Sequence, residues 1–129
     1  MDALRLDGLP EGALLLVDSP PIIYVLEGRA KLAGRFSPLF AAHDEGRFRF
    51  ATTTITVAEV LTGPIRAGDE ELVQRYRAVL ESWQIVDLTM QIAETAARFR
   101  ASLRLKLADA VQAASAVAVN ADALVTHDR

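Results

Sequence analysis

Residues 13–28 read ALLLVDSPPIIYVLEG, an apolar run that stops at a single acid. Ala13 to Val17 are apolar without alternation, and Asp18, Ser19, Pro20 and Pro21 follow at once. A short unbroken apolar run bounded by turn chemistry suits a strand buried on both faces, the kind found in parallel sheets covered by helices. Ser19 can cap a helix, and the prolines suit its first turn, where a missing N–H costs nothing. A helix is therefore expected from Pro21 to about Leu26, opening at the carboxyl end of the strand.

The same alternation continues outward. Residues 1–12 hold Gly8, Pro10 and Gly12 without a periodic pattern, so they are expected to be a short leader, with a partner-binding arm as one use, ahead of one domain over 13–129. The amphipathic segment from about Ala30 to Ala42 is interrupted by Gly34 and Pro38, which predicts one or two short helices. Phe48 to Thr53 reads as a second strand, and Thr56 to about Thr62 as a helix ended by Gly63 and Pro64. Asp69 to Trp83 is a helix by period, with Leu72, Tyr76, Val79, Leu80 and Trp83 on one face; Ile85 and Val86 make a third short strand. Thr89 to about Leu103 aligns Ile92, Ala96, Phe99 and Leu103; Leu107 to Val119 is a helix almost wholly of Ala, Val and Leu, and Ala123 to Thr126 is a fourth strand. Strands alternating with helices imply a parallel α/β sheet, whose ligands sit beyond the carboxyl ends of the strands.

Composition narrows the function classes. A chain of 129 residues, 51% hydrophobic and 24% charged, fits one globular domain with a real core rather than a disordered segment. It has no cysteine, so disulfides, thiolate nucleophiles and thiolate metal sites are excluded, and a metal would fall to oxygen ligands or to the two histidines. This fits a reducing cytoplasm. The N-terminus lacks the regions of a signal peptide, and no apolar run reaches the roughly 18 residues of a membrane span, so the chain reads as soluble. A net charge of −3 argues against a nonspecific nucleic-acid wrapper, yet is compatible with a nuclease whose carboxylates await cations. No Gly-rich Lys-Ser/Thr turn is present, which excludes a P-loop.

Four acids stand out, and each has an ordinary explanation. Asp18 can serve the N-terminus of the helix it precedes. Thr56-Val-Ala-Glu59 matches the capping box, in which the glutamate reaches back to the cap residue. Asp109 lies in the first turn of its helix, where the macrodipole favours an acid, and Asp128 follows the fourth strand as a loop or cap residue. Taken jointly, three lie at or just beyond strand ends and the fourth opens a helix, all places that can face one sheet edge. Convergent carboxylates repel unless a cation neutralises them, and oxygen-only donors point to Mg²⁺ or Mn²⁺.

The segments LLLVDSPPIIYVLEG, TTTITVAEVLTG, LRLKLADAVQAASA and NADALVTHDR together resemble the PIN domain, in particular the VapC-type toxin ribonucleases of toxin-antitoxin systems. The resemblance implies a PIN-like three-layer α/β/α fold with a central, mainly parallel sheet of four to five strands. It implies that Asp18, Glu59, Asp109 and Asp128 form a metal-binding catalytic site, with Ser19 and Thr126 as hydroxyl neighbours. The implied activity is Mg²⁺- or Mn²⁺-dependent hydrolysis of RNA. Partners implied are a VapB-like antitoxin and a second copy of the chain, as a homodimer or a toxin-antitoxin hetero-oligomer. Where the family often has a small hydroxylic residue two places after the first acid, this chain has Pro20, with Ser19 next to the acid instead. The chain also ends at Arg129, so the family's last helix and edge strand are expected to be missing.

RNA would be held by cations, for which Arg98, Arg100, Arg104 and Lys106 are candidates, together with Arg29, Lys31 and Arg35; a solvated helix face explains them as well. His43 and His127 are weaker candidates, because alternation points His127 away from its neighbouring acid. Ile22, Tyr24, Val25 and Phe40 suit either partner contacts or the core. Receiver-like and phosphatase-like domains are disfavoured, the latter because Pro20 stands where a second aspartate is wanted. A catalytically inactive PIN-like module that binds RNA or an antitoxin is the alternative that survives.

Overall fold

The computed structural model describes residues 8–28 and 30–127, with only the backbone at residue 30. The elements run β1 (Ala13–Val17), α1 (Ser19–Glu27), α2 (Ala30–Asp44), β2 (Phe48–Thr53), α3 (Thr54–Arg66), α4 (Glu70–Glu81), β3 (Gln84–Val86), α5 (Met90–Leu103), α6 (Leu107–Ala118) and β4 (Ala123–Val125). Four strands pair in the order β3-β2-β1-β4, all parallel. The connection from β1 goes to one side and β4 lies on the other, so the strand order reverses at the carboxyl end of β1. In open α/β sheets this reversal opens a crevice suited to a ligand.

The unbroken apolar run of β1 has a direct consequence in packing. Leu15 and Val17 join Ile22, Leu39, Phe50, Val60, Leu80 and Trp83 in a core beneath α1 to α4. Leu14 and Leu16 face the other way, into a second core with Ile92, Ala96, Ala110, Val111 and Ala114 of α5 and α6. The strand is thus buried on both faces and the fold has three layers. Asp122 lengthens the β1–β4 ladder: its N–H donates to the Leu14 carbonyl (2.7 Å), and its carboxylate accepts the Leu14 N–H (2.8 Å). Ile22 and Tyr24 belong to the core, and Phe40 packs against it.

Several local expectations are corrected. Asp18, not Ser19, caps α1. The segment after it is one continuous 15-residue helix through Gly34 and Pro38. These two lie four apart, so the proline's missing N–H and crowded ring fall on the carbonyl of the residue without a Cβ, while Ser37 Oγ bonds the Ala33 carbonyl at 2.6 Å. Likewise α3 passes through Gly63 and a buried Pro64 to Arg66. It begins at Thr54 because Thr53, the last residue of β2, caps it by accepting the Thr56 N–H, so Thr56 does not form the expected capping box with Glu59. Among the leader residues, 1–7 lie outside the described residues, whereas Leu9 packs against the core and Gly12 N–H donates to the Arg47 carbonyl. No helix among the described residues is long and apolar enough to cross a membrane.

Candidate active site

The end of β1 delivers Asp18 to the strand-order reversal, where it is 8% exposed. Its Oδ1 accepts the Ser19 N–H at 2.8 Å and Gln112 Nε2 at 2.7 Å; its Oδ2 accepts the Thr126 hydroxyl at 2.9 Å. Thr126 sits just past β4, and Asp18 N–H in turn donates to the Val125 carbonyl, so the adjacent strand fixes both groups. A carboxylate offers about four lone-pair directions, and three are taken. The remaining one, on Oδ2, has no protein donor among the described residues.

Gln112 was not anticipated from the sequence. It is fully buried on α6, one turn after Asp109, and links Asp18 to the start of α3: Nε2 also donates to Thr56 Oγ1 (2.7 Å), and Oε1 accepts from Thr53 Oγ1 (2.9 Å). The available signal was its position three residues after an acid, on the same helical face. One turn beyond Thr56, Glu59 is exposed and its Oε1 accepts the Ser19 hydroxyl at 2.8 Å. Ser19, displaced from its expected capping role, instead orients a second acid.

Asp18, Ser19, Glu59, Lys106, Asp109, Gln112, Thr126 and His127 share a cavity of about 670 Å³. Three of the four acids therefore line one space, and Asp128 lies outside the described residues. Asp109 is exposed in the first turn of α6. Ion pairs such as Arg98–Glu94 and Arg77–Glu81 lie elsewhere. Among the described residues no three acidic or histidine side chains gather closely enough to enclose an ion. Mg²⁺ keeps several of its waters and is commonly held by one or two carboxylates rather than an all-protein cage. The donors are of the right kind: hard oxygens, one carrying an open lone pair, in a cavity wide enough for water and a phosphate. Asp18, Glu59 and Asp109 are the residues that would hold it.

The remaining candidates separate by position. Of the basic residues near α6, Lys106 lines the cavity. Arg98 pairs with Glu94, Arg100 donates to the Leu105 carbonyl, and Arg104 is exposed in a left-handed conformation at the end of α5. Lys31 is exposed, Arg35 is half-buried over Phe36, and Arg29 lies outside the described residues. His43 stacks on Phe50, away from the cavity. His127 lines it, with Nδ1 3.0 Å from the Tyr24 hydroxyl and its ring edge-on to Tyr24 and Phe36, so one histidine given little weight stands beside the acids.

Comparison with known families matches residues 15–129 to the PIN domain. The chain belongs to the PIN domain family. Among solved structures, this PIN domain is similar to a toxin-antitoxin complex from Klebsiella pneumoniae, with 26% identity over 88% of this chain and 86% of that one, at a TM-score of 0.70. It shares its fold with VapC20 of Mycobacterium tuberculosis, described as a toxin cleaving the sarcin-ricin loop, with 15% identity over 88% and 89% of the two chains and a TM-score of 0.72. A similar match is VapBC2 from Rickettsia felis bound to a promoter DNA fragment, with 19% identity over 89% and 87% and a TM-score of 0.67. Among curated proteins, no sequence matches this PIN domain.

Proposed function

We propose that this PIN domain is a VapC-type, Mg²⁺- or Mn²⁺-dependent endoribonuclease that hydrolyses RNA phosphodiester bonds in the cavity lined by Asp18, Glu59 and Asp109. The observation that carries the reading is Asp18: a nearly buried carboxylate with three protein donors, one short of the about four it can accept, at the wall of a space two further acids line. A bound divalent cation would offset charge on the scissile phosphate and acidify a water.

The chain's own residues then divide the work. Asp18 presents Oδ2, with Thr126 fixing its direction. Glu59, steadied by Ser19, and Asp109, on the first turn of α6, approach the same space from two other elements. Lys106 at the cavity wall supplies positive charge for a neighbouring RNA phosphate. Asp128 is the fourth acid in this proposal. RNA as substrate is supported by the likeness to a toxin described as cleaving the sarcin-ricin loop. A VapB-like antitoxin as partner is supported by the likeness to toxin-antitoxin complexes, and exposed Leu103, Leu107 and Val117 offer apolar surface for it or for a second copy.

A second reading is favoured by one specific observation: the described acids line the cavity without closing around one point. It makes the chain a non-catalytic PIN module that binds RNA or antitoxin. Incubation of purified protein with total RNA and Mn²⁺ separates the two. The proposal expects cleavage that chelation abolishes and that Asp109→Asn lowers by about a hundredfold or more, as for loss of a metal-site group. RNA binding without cleavage supports the second reading, and cleavage undiminished in Asp109→Asn refutes the assigned site.

A further inference from the structure

We propose that Gln112 is a positioning residue that restricts Asp18 to one-oxygen ligation and thereby sets a preference for Mg²⁺ and Mn²⁺ over Ca²⁺; this rests on the metal site proposed above. The starting observation is a primary amide, 1% exposed, in a helix otherwise built of Ala, Val and Ser around it. An apolar residue would meet the demands of burial without any polar group to satisfy. Here the amide makes three of its four possible hydrogen bonds. One Nε2 hydrogen goes to Asp18 Oδ1 and the other to Thr56 Oγ1, while Oε1 receives the Thr53 hydroxyl. Thr53 Oγ1 also accepts the Thr56 N–H that caps α3. Turning the amide away from Asp18 would strand buried donors and acceptors at about 1–3 kcal/mol each, so its direction is fixed.

The consequence falls on the two oxygens of Asp18 unequally. Oδ1 already accepts both Ser19 N–H and Gln112, which fills it; Oδ2 accepts Thr126 alone and keeps one direction open. A cation would therefore meet the one direction of the Asp18 carboxylate that has no protein donor on Oδ2, and would find Oδ1 already taken. Mg²⁺ asks for near-octahedral, single-oxygen contacts and retains its waters, whereas Ca²⁺ takes six to eight oxygens and readily uses both oxygens of a carboxylate. Blocking Oδ1 handicaps the larger ion selectively. Thr126 acts on the other oxygen, so losing it alters affinity without releasing Oδ1.

Melting of the full chain, titrated with Mn²⁺ or with Ca²⁺ and without RNA, measures both apparent affinities. In Gln112→Met, which keeps length and approximate volume but donates nothing, the Mn²⁺-to-Ca²⁺ affinity ratio is expected to fall about tenfold, the scale of an outer-partner loss at a metal site. Gln112→Asn, whose shorter amide can stay paired with the threonines but stops short of Asp18, is expected to give the same fall and serves if the Met variant does not fold. Thr126→Val is expected to weaken both ions and leave the ratio within about twofold, because Oδ1 stays filled. A wild-type ratio in a folded Gln112 variant, or an equal fall in Thr126→Val, overturns the inference. Absence of any Mn²⁺ effect on the wild-type protein overturns the metal site itself, an outcome distinct from a bound ion with unchanged preference.

Discussion

Asp18→Asn tests whether the carboxylate belongs to the fold or to a ligand. The surroundings can accept the exchange: the amide oxygen keeps the Ser19 N–H and Gln112 donors, while the amide nitrogen replaces Oδ2 and donates to the Thr126 hydroxyl, which becomes the acceptor. Without metal, three charge-assisted bonds become neutral ones at a loss of roughly 1 kcal/mol each. Against that, the variant no longer keeps a nearly buried charge from water, a penalty of several kcal/mol, and no longer faces the charges of Glu59 and Asp109 across the cavity. The opposing contributions are similar, so metal-free Tm should stay within a few degrees of wild type. At an ion concentration a hundred times Kd the wild type gains about 2.7 kcal/mol. At roughly 3–5 °C per kcal/mol for a domain of 129 residues, that is a rise of about 8–14 °C. The variant, lacking both the charge and the open lone pair, should rise by less than about 2 °C under the same conditions. Calorimetric melting in Mn²⁺ and in chelator reads both numbers. A full rise in Asp18→Asn would place the ion elsewhere, and a metal-free variant that cannot fold would make the carboxylate a structural group.

Two further outcomes concern stability away from the site. Asp122→Ala removes the acceptor of the Leu14 N–H at the start of the central strand and should cost about 1–2 kcal/mol, read as a lower urea midpoint, while Asp122→Asn should recover most of it through its amide oxygen. Arg104 ends α5 at φ 56°, a conformation that glycine adopts without strain, so Arg104→Gly should stabilise the domain by about 1 kcal/mol in melting experiments. An unchanged or lower Tm would mean that the Arg104 side chain contributes more than its backbone costs.

The strands and helices were legible because each is written locally. The unalternating run Ala13 to Val17 fixes a doubly buried strand, and the periodic faces of residues 90–103 and 107–118 fix two helices to within a residue or two. Caps and breaks were less legible because competing local patterns are resolved by the sheet. Thr56 and Glu59 spell a capping box, but β2 remains paired with β3 through Thr53, which moves the helix start upstream and frees Glu59 for Ser19. Gly34 with Pro38 spells a break, yet their spacing of four lets the helix absorb both. Gln112 was silent for a different reason: glutamine is an ordinary helix former, and only the convergence of Asp18 with Thr53 and Thr56, from two other places in the chain, gives its amide a purpose.

The two prolines after Asp18 acquire a role from the same accounting. A capping side chain normally accepts the N–H of the second or third helical residue. In α1 those residues are Pro20 and Pro21, which have none, so the only first-turn donor Asp18 meets is Ser19 N–H. With ordinary residues there, the helix would supply one or two more donors to a group with about four lone-pair directions, and Gln112, Thr126 and a cation would have to compete for what remained. The prolines also set φ for the first turn, so the helix starts sharply without needing those bonds. Asp18 thus occupies the N-cap position while doing little of the capping. Its carboxylate is left for side chains brought by α6 and by the residue just past β4, with one direction still without a donor among the described residues.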